Sequence, residues 1–340
     1  MKKWFPKSPK GILRMDMSAD GRYVYALAQT VYVLDRQTGM KQRLPQLGNS
    51  EPVASPCGRF MAAAHPCRTS QNHIEVSIWQ TGETHTELFP RVRIPSQIPP
   101  SHPCFTADGA YFLLDARPAD PRAGGHASRL WAVSTADGSA RMLCDAPEGM
   151  CIRSISAGER GVVLALQRFI PADRAACMLV WFRSPDAPPV EIPCSGLLPR
   201  SAEQSGGREL AAAWQPDGRI LLSWTGRDTA LQWIDPETEQ IIPSAEHMLP
   251  WGNILGLRYS PDGRYAVMQN SLNGHFTPQV GDGRQAVLVF RTSDWELVWH
   301  RNTRFLWDAR FSPDGRWLLI SGDEGWIVPV EEFSGLEFTM

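Results

Sequence analysis

Short apolar runs, each introduced by a tight polar turn, recur along this chain. The stretch "FSPDGRWLLISGDEGWIVPV" is the fullest copy, and "MSADGRYVYALA", "ASPCGRFMAAAH", "FTADGAYFLLDA", "WQPDGRILLSWT" and "YSPDGRYAVMQN" repeat its first half. A short segment such as "LWDARF" or "ILGLRY" precedes each turn and a β-rich run follows it, which predicts strand, tight turn, strand. A second β run comes next, as in "TVYVLDRQTG", "IEVSIWQTGE", "RLWAVSTADG", "CMLVWFRSPD", "ALQWIDPETE", "AVLVFRTSDW" and "GWIVPVEEFSG". Each closes on a polar turn and a short fourth segment. Four antiparallel strands per repeat is the grammar of a propeller blade.

The turn glycines set the phase: Gly21, Gly58, Gly109, Gly218, Gly263 and Gly315, with one double-sized gap between Gly109 and Gly218. "ISAGERGVVLALQRF" fills that gap as a degenerate copy, with Gly158 and Glu159 where Asp and Gly would stand. Val162, Leu164 and Leu166 of that copy alternate and should face one neighbouring blade. The residues after Gly315 and those up to Gly21 together make about one repeat of the roughly 40 to 50 residues such units need. The expected fold is therefore all-β, a seven-bladed β-propeller of four-stranded antiparallel blades forming one domain over residues 1–340. The blades fall at about 11–47, 48–90, 100–144, 150–194, 208–244, 252–300 and 304–340.

Composition agrees with this and narrows the function classes. At 340 residues the chain exceeds what one hydrophobic core usually supports, and the self-similarity decides for a repeat architecture over two unrelated domains. A net charge of -2 with interspersed signs gives no basis for a nucleic-acid tract or a membrane patch. "MKKWFPKSPKG" has no apolar core of a signal peptide, so the expected location is cytoplasmic. Seven cysteines, none in a CxxC pair, do not resemble a disulfide framework.

"LWDARFSPDGRWLLISGDEGWIVPV" resembles a repeat of the WD40 superfamily and its bacterial WD40-like branch: strand, turn, strand, Ser-Gly-x-x-Gly turn and third strand, in order. No blade carries that family's Trp-Asp at the end of the third strand, and its Gly-His pair is absent. The resemblance implies a binding function, since propellers host scaffolds, receptors and enzymes alike.

With strands lettered a to d from the inside outward, the a-to-b and c-to-d turns are short and uniform. The b-to-c connections are long in blades 2, 3, 4 and 6 ("HPCRTSQNH", "DARPADPRAGGHASR", "QRFIPADRAAC", "NSLNGHFTPQVGDGRQ"), and so are the d-to-a connections "FPRVRIPSQIPPSHP" and "CSGLLPRSAEQSGGREL". Long loops in compact domains are usually functional or disordered. Arg68, Arg117, Arg122, Arg168, His275 and Arg284 on these loops are the candidate binding residues for a protein or peptide partner. The loops around 115–129 and 270–286, rich in glycine, are expected to be among the most mobile segments.

No HExxH, phosphate-binding loop or nucleophile elbow is present. Aligned on the turn, however, the inner strands carry unusual charge. Seven residues before the marker glycine stand Arg14, Glu51, His102, Ile152 and Asp308; five before it stand Asp16, Ser154, Arg258 and Arg310. These two positions share one face of a strand. Structural ion pairing between blades is one reading, with Asp16 meeting Arg310 and Arg14 meeting Asp308 at a seam between the first and last blades that no short connection crosses. A polar site for a small anion is a second, with Arg258, Arg310 and His102 as donors. A third, similar to lactonase-type propellers, has Glu51, Asp308 and Asn253 as oxygen ligands of Ca²⁺ or Mg²⁺. His65, His126 and His275 read as solvated loop histidines, and Trp251, Trp295 and Trp299 as packing between blades. The expected function is a non-catalytic scaffold without cofactor, and the alternative is a small-ligand binder or propeller enzyme.

Overall fold

The Asp-Gly turns that open on Ser or Thr are locked by that side chain. In Thr106-Ala107-Asp108-Gly109 the threonine hydroxyl donates to the Asp108 carboxylate at 2.6 Å and accepts from the Tyr111 N–H at 3.0 Å, while the Ala110 N–H donates to the same carboxylate at 2.9 Å. Gly109 N–H closes the turn on Thr106 O, and Gly109 sits at φ +72°, where a side chain would be strained. Ser18/Asp20, Ser260/Asp262 and Ser312/Asp314 repeat this arrangement. The Thr106 hydroxyl and then the Ala110 N–H hold the Asp108 carboxyl below its ordinary range. Asp108→Ala is therefore expected to lower stability by about 1–2 kcal/mol, read from chemical denaturation, because two hydrogen bonds to a charged acceptor are lost.

The computed structural model describes residues 2–5, 11–44, 47, 50–117, 128–168, 177–193, 209–215, 217–225, 229–242, 247–249, 254–271, 285–303 and 306–335. Their strands form seven antiparallel sheets, each built on three strands in chain order with a fourth outside, and the fold is an all-β, seven-bladed propeller. No helix among the described residues is long and apolar enough to cross a membrane. The chain divides into two compact units, Met1–Pro52 with Pro250–Met340, and Val53–Leu249.

The second unit carries blades 2 to 5. Blade 4 opens with Met150–Gly158 paired to Gly161–Arg168, so "ISAGERGVV" is a hairpin with a two-residue turn. Gly161 makes that turn possible: at φ +117° its position leaves 2.0 Å between a would-be Cβ and Phe182 O. Val162, Leu164 and Leu166 pack with Leu113, Leu130 and Ala132 of blade 3, as their alternation predicts. The intervening Val163 and Ala165 pack with Leu210, Ala212 and Trp214 of blade 5. Because the turn is shorter than in the other blades, the register moves. Ser154, which pairs with Ala165 just after a bulge, stands where Asp308, just after the bulge of blade 7, stands; Ile152 and Ser154 are therefore not the aligned pair that the marker count gave.

Blade 2 also runs further than its sequence pattern. Its outer strand is broken into Thr86–Glu87 and Val92–Pro95, both on His73–Gln80, so the "VRIP" of "FPRVRIPSQIPPSHP" is strand and not connection. The second strand reaches Pro66, which places His65 on a strand. The glycine-rich loops expected to be mobile lie largely outside the described residues.

The first unit carries blades 6, 7 and 1. Blade 7 supplies Leu306–Phe311, Trp317–Gly322 and Gly325–Pro329, but its fourth strand is Lys2–Phe5. The junction between blades 7 and 1 is thus bridged by the chain itself, and the non-covalent closure lies inside blade 7, where residue 2 meets residue 327. The sequence leaves open which terminus closes the ring; Val330–Gly335, after the third strand of blade 7, form a short 3₁₀ turn. Its Phe333 is 2% exposed and packs on Tyr265, Trp299 and Phe311, with ring centroids 5.4, 5.7 and 6.3 Å away. Met15, Met17, Val24 and Ala26 of blade 1 pack with Leu319 and Ile327 of blade 7.

Candidate functional site

The inner strand of a blade begins at the end where the d-to-a connection arrives, so residues seven before the marker glycine lie at that end. In the first unit these positions converge on Asp308, which is 1% exposed and is the third residue of Leu306–Phe311. A bulge between Leu306 and Asp308 sets the carboxylate inward while Trp307 remains half exposed. Arg14 Nη1 approaches Asp308 Oδ1 at 2.8 Å and Arg258 Nη2 the same oxygen at 3.3 Å. Gln269 Nε2 donates to it at 3.0 Å, and Arg310 Nε donates to Oδ2 at 2.6 Å. Arg310 continues to Asp16 at 3.4 Å and to Glu51 at 3.2 Å, and Arg14 Nε reaches Glu51 at 3.3 Å.

Six of the seven inner-strand candidates, Arg14, Asp16, Glu51, Arg258, Asp308 and Arg310, are thereby one network of three guanidinium groups and three carboxylates. Both contacts expected at the seam are present. His102 belongs to the other unit, where its N–H donates to Asp115 Oδ1 at 3.0 Å. Burial alone would push the Asp308 carboxyl up, yet Arg258, Arg310 and Arg14 hold it far below the ordinary carboxylate range. Burial would likewise lower Arg310, and Asp308, Asp16 and Glu51 outweigh it and raise it. Asp308 is the most sheltered member and Arg258 the most open: side-chain exposure is 1% and 43%.

The third reading, an oxygen-ligated cation, meets a difficulty here. Glu51 and Asp308 already face arginines, and a cation would compete with those guanidinium groups for the same oxygens. Asn253 lies outside the described residues. Among the described residues no group of three or more His, Cys, Asp or Glu side chains is placed to hold a metal.

Gln269 is the member that the sequence did not single out. It is 6% exposed on Tyr265–Ser271, and a polar residue amid "YAVMQNS" is the one available signal. The second unit has its own ties between inner strands: Ser154 Oγ accepts from Ala212 N–H at 2.8 Å and Ser156 Oγ from Trp214 N–H at 3.1 Å.

Of the loop candidates, Arg68 is exposed after the second strand of blade 2, Arg117 follows that of blade 3 with Nη2 3.9 Å from Asp115, and Arg168 ends that of blade 4. Arg122, His275 and Arg284 lie outside the described residues, as do His126 and Trp251. His65 departs from expectation. It is 7% exposed, and its Nε2 lies 3.0 Å from Arg91 Nη1 and 3.4 Å from Glu75. Burial first, then Arg91, lower its pKa, so the ring is neutral near pH 7. Arg93, 61% exposed, and buried Cys67 converge on the same Glu75. Trp299 packs against Phe333 and Trp295 against Tyr259 and Phe290, as packing residues between and within blades.

No protein-family model matches the chain, and no curated protein matches it. Solved structures do. Hydrazine synthase of Kuenenia stuttgartiensis is similar at 13% identity and a TM-score of 0.60, over 96% of this chain and 97% of that one. An oligogalacturonate lyase of Vibrio parahaemolyticus is similar at 12% identity and a TM-score of 0.64, over 96% and 93%. An oligogalacturonate lyase in complex with manganese is similar at 14% identity and a TM-score of 0.58, over 97% and 93%. At these identities the likeness is one of fold.

Proposed function

We propose that this chain is a non-catalytic, WD40-like propeller of the cytoplasm that docks a protein or peptide partner at the b-to-c and d-to-a ends of its blades. The observation that carries the reading is the condition of the inner-strand charges. Asp308 stays ionised with both oxygens occupied, and guanidinium groups keep their protons near neutral pH. Such a network holds charge but offers no group poised to take or give a proton. The ends of blades 2, 3 and 4 meanwhile present Arg68, Arg93, Arg117 and Arg168, an arrangement that favours an acidic partner surface. The test is capture of partners from the native host with the wild type and with the triple variant Arg68→Glu, Arg93→Glu, Arg168→Glu. A stoichiometric partner lost by about tenfold or more in the folded variant is the expected result; the same partner retained in full overturns the reading.

A second reading, a small-ligand binder or propeller enzyme, draws support from the lyase likeness. Its test is direct: oligogalacturonate with and without Mn²⁺, followed by ultraviolet absorbance of the unsaturated product that a lyase leaves. Turnover there would replace the docking reading.

A further inference from the structure

The arginine and carboxylate network of the first unit balances in number but not in distribution. Arg310 faces Asp308, Asp16 and Glu51, and Arg14 faces Asp308 and Glu51. Among the described residues Arg258 is within ion-pair distance of Asp308 alone, with Glu51 acting on it from farther away, and it shares the Asp308 carboxylate with both other arginines and with Gln269. One buried carboxylate thus serves three guanidinium groups, and Arg258 is the cation with the least of it. Three like charges gathered on one anion repel one another, and the repulsion is weakest for the group that can lean into water. Arg258 is that group, with 43% of its side chain exposed; Arg14, at 26%, is the next most open.

The donors point the same way. Arg258 commits Nη2 to Asp308, while its Nε and Nη1 take no partner among the described residues. Arg14 commits Nε and Nη1, leaving Nη2 without an ion-pair partner among the described residues. Both arginines reach the same oxygen, Asp308 Oδ1, so their heads are brought together by a fixed buried anchor and not by chance on a free surface. A guanidinium presents its N–H groups as a planar fork that fits two oxygens of a carboxylate or phosphate. From this distribution of charge, exposure and uncommitted donors, we infer that Arg258 and Arg14 form an oxyanion site whose ligand adds negative charge on the solvent side of Asp308. The buried carboxylate does the positioning, and the two arginines do the binding. The ligand class is a small molecule or chain segment carrying a carboxylate or phosphate group. This site uses none of the loop-end arginines of blades 2 to 4, and it stands or falls without them.

The experiment is calorimetric titration of the full chain with sodium phosphate, sodium succinate and an acetylated, amidated Glu-Glu-Gly peptide, each against sodium chloride at matched ionic strength. Saturable binding of at least one probe is expected in the wild type. Arg258→Gln removes the more open arm without unpairing a buried carboxylate, since Asp308 keeps Arg14, Arg310 and Gln269. It should fold and bind about tenfold more weakly. Arg258→Lys keeps the charge and loses the fork, so an intermediate affinity is expected, and it serves as the folded reference should the glutamine variant lose structure. Arg93→Gln, in the other unit, should bind as the wild type does. The strongest probe names the source: phosphate for a phosphorylated compound, succinate for a small dicarboxylate, the peptide for an acidic segment of a protein. Equal affinity in Arg258→Gln and wild type, or a response that chloride reproduces at equal ionic strength, overturns the site.

Discussion

Asp308→Asn is expected to lower the stability of the folded chain by about 3–5 kcal/mol, the range for breaking a buried ion pair by removing one partner. The side chain is 1% exposed, so water cannot replace the lost charge, and the amide N–H₂ would turn a donor toward arginine donors. Three guanidinium groups would lose their common counter-ion at once. The pH dependence separates this from a general packing defect. The carboxyl is depressed in the folded state, so its contribution is fully present above the unfolded pKa of about 3.9 and is lost as pH falls toward the folded value. The gap between wild type and variant, measured by urea denaturation, should be constant above about pH 5 and narrow below about pH 4. A gap that does not change with pH would place the effect in packing. Exchanging the charges of Asp16 and Arg310 is not expected to restore a broken pair, because an aspartate at 310 would stand beside Asp308 and Glu51.

Phe333→Ala is expected to cost about 3–5 kcal/mol, as large aromatic truncations in cores do. Phe333 belongs to a 3₁₀ turn and not to a sheet, so no ladder of backbone hydrogen bonds holds it in place. Its ring fills the space between Tyr265, Trp299 and Phe311, which belong to blades 6 and 7. The loss should therefore appear as a lower unfolding midpoint in the variant, and Phe333→Leu, which keeps most of the volume, should lose less than half as much. Equal losses for the two substitutions would indicate that the ring itself, and not the space it fills, is what matters.

What could be read from the sequence was what is local. The Asp-Gly turn is specified by four consecutive residues whose side chains bond to their own backbone, so Ser18, Thr106, Ser260 and Ser312 declare it without any knowledge of the fold. Counting from those turns put Asp16 level with Arg310 and Arg14 level with Asp308, because both inner strands keep the same distance to their turn. In blade 4 the turn has only Glu159 and Arg160, and the same count put Ile152 and Ser154 in the wrong rows. His65 reads as a loop residue because it opens the long b-to-c stretch "HPCRTSQNH", yet the strand runs on to Pro66, and a proline ending a strand leaves no local mark of that. Gln269 and Phe333 acquire their roles from residues far along the chain, and no periodicity marks them. The fourth strand of blade 7 is the extreme case, since "KKWF" carries no sign that its partner is "GWIVP".

That pairing has a consequence for how the molecule is made. During vectorial synthesis Lys2–Phe5 emerges long before the strand it pairs with, because Lys2 pairs with Ile327 and Asp16 meets an arginine 294 positions later. Blades 1 to 6 can form in turn as they emerge, whereas blade 7 stays incomplete, with an unpaired strand edge, until Gly325–Pro329 has been translated. Contacts of such separation are slow to close, and exposed strand edges invite association with other chains while they wait. Folding of the released protein is therefore expected to end on a single late step, the docking of residues 2–5, and a holdase that covers "KKWF" during synthesis would raise the yield of native protein without changing its final stability.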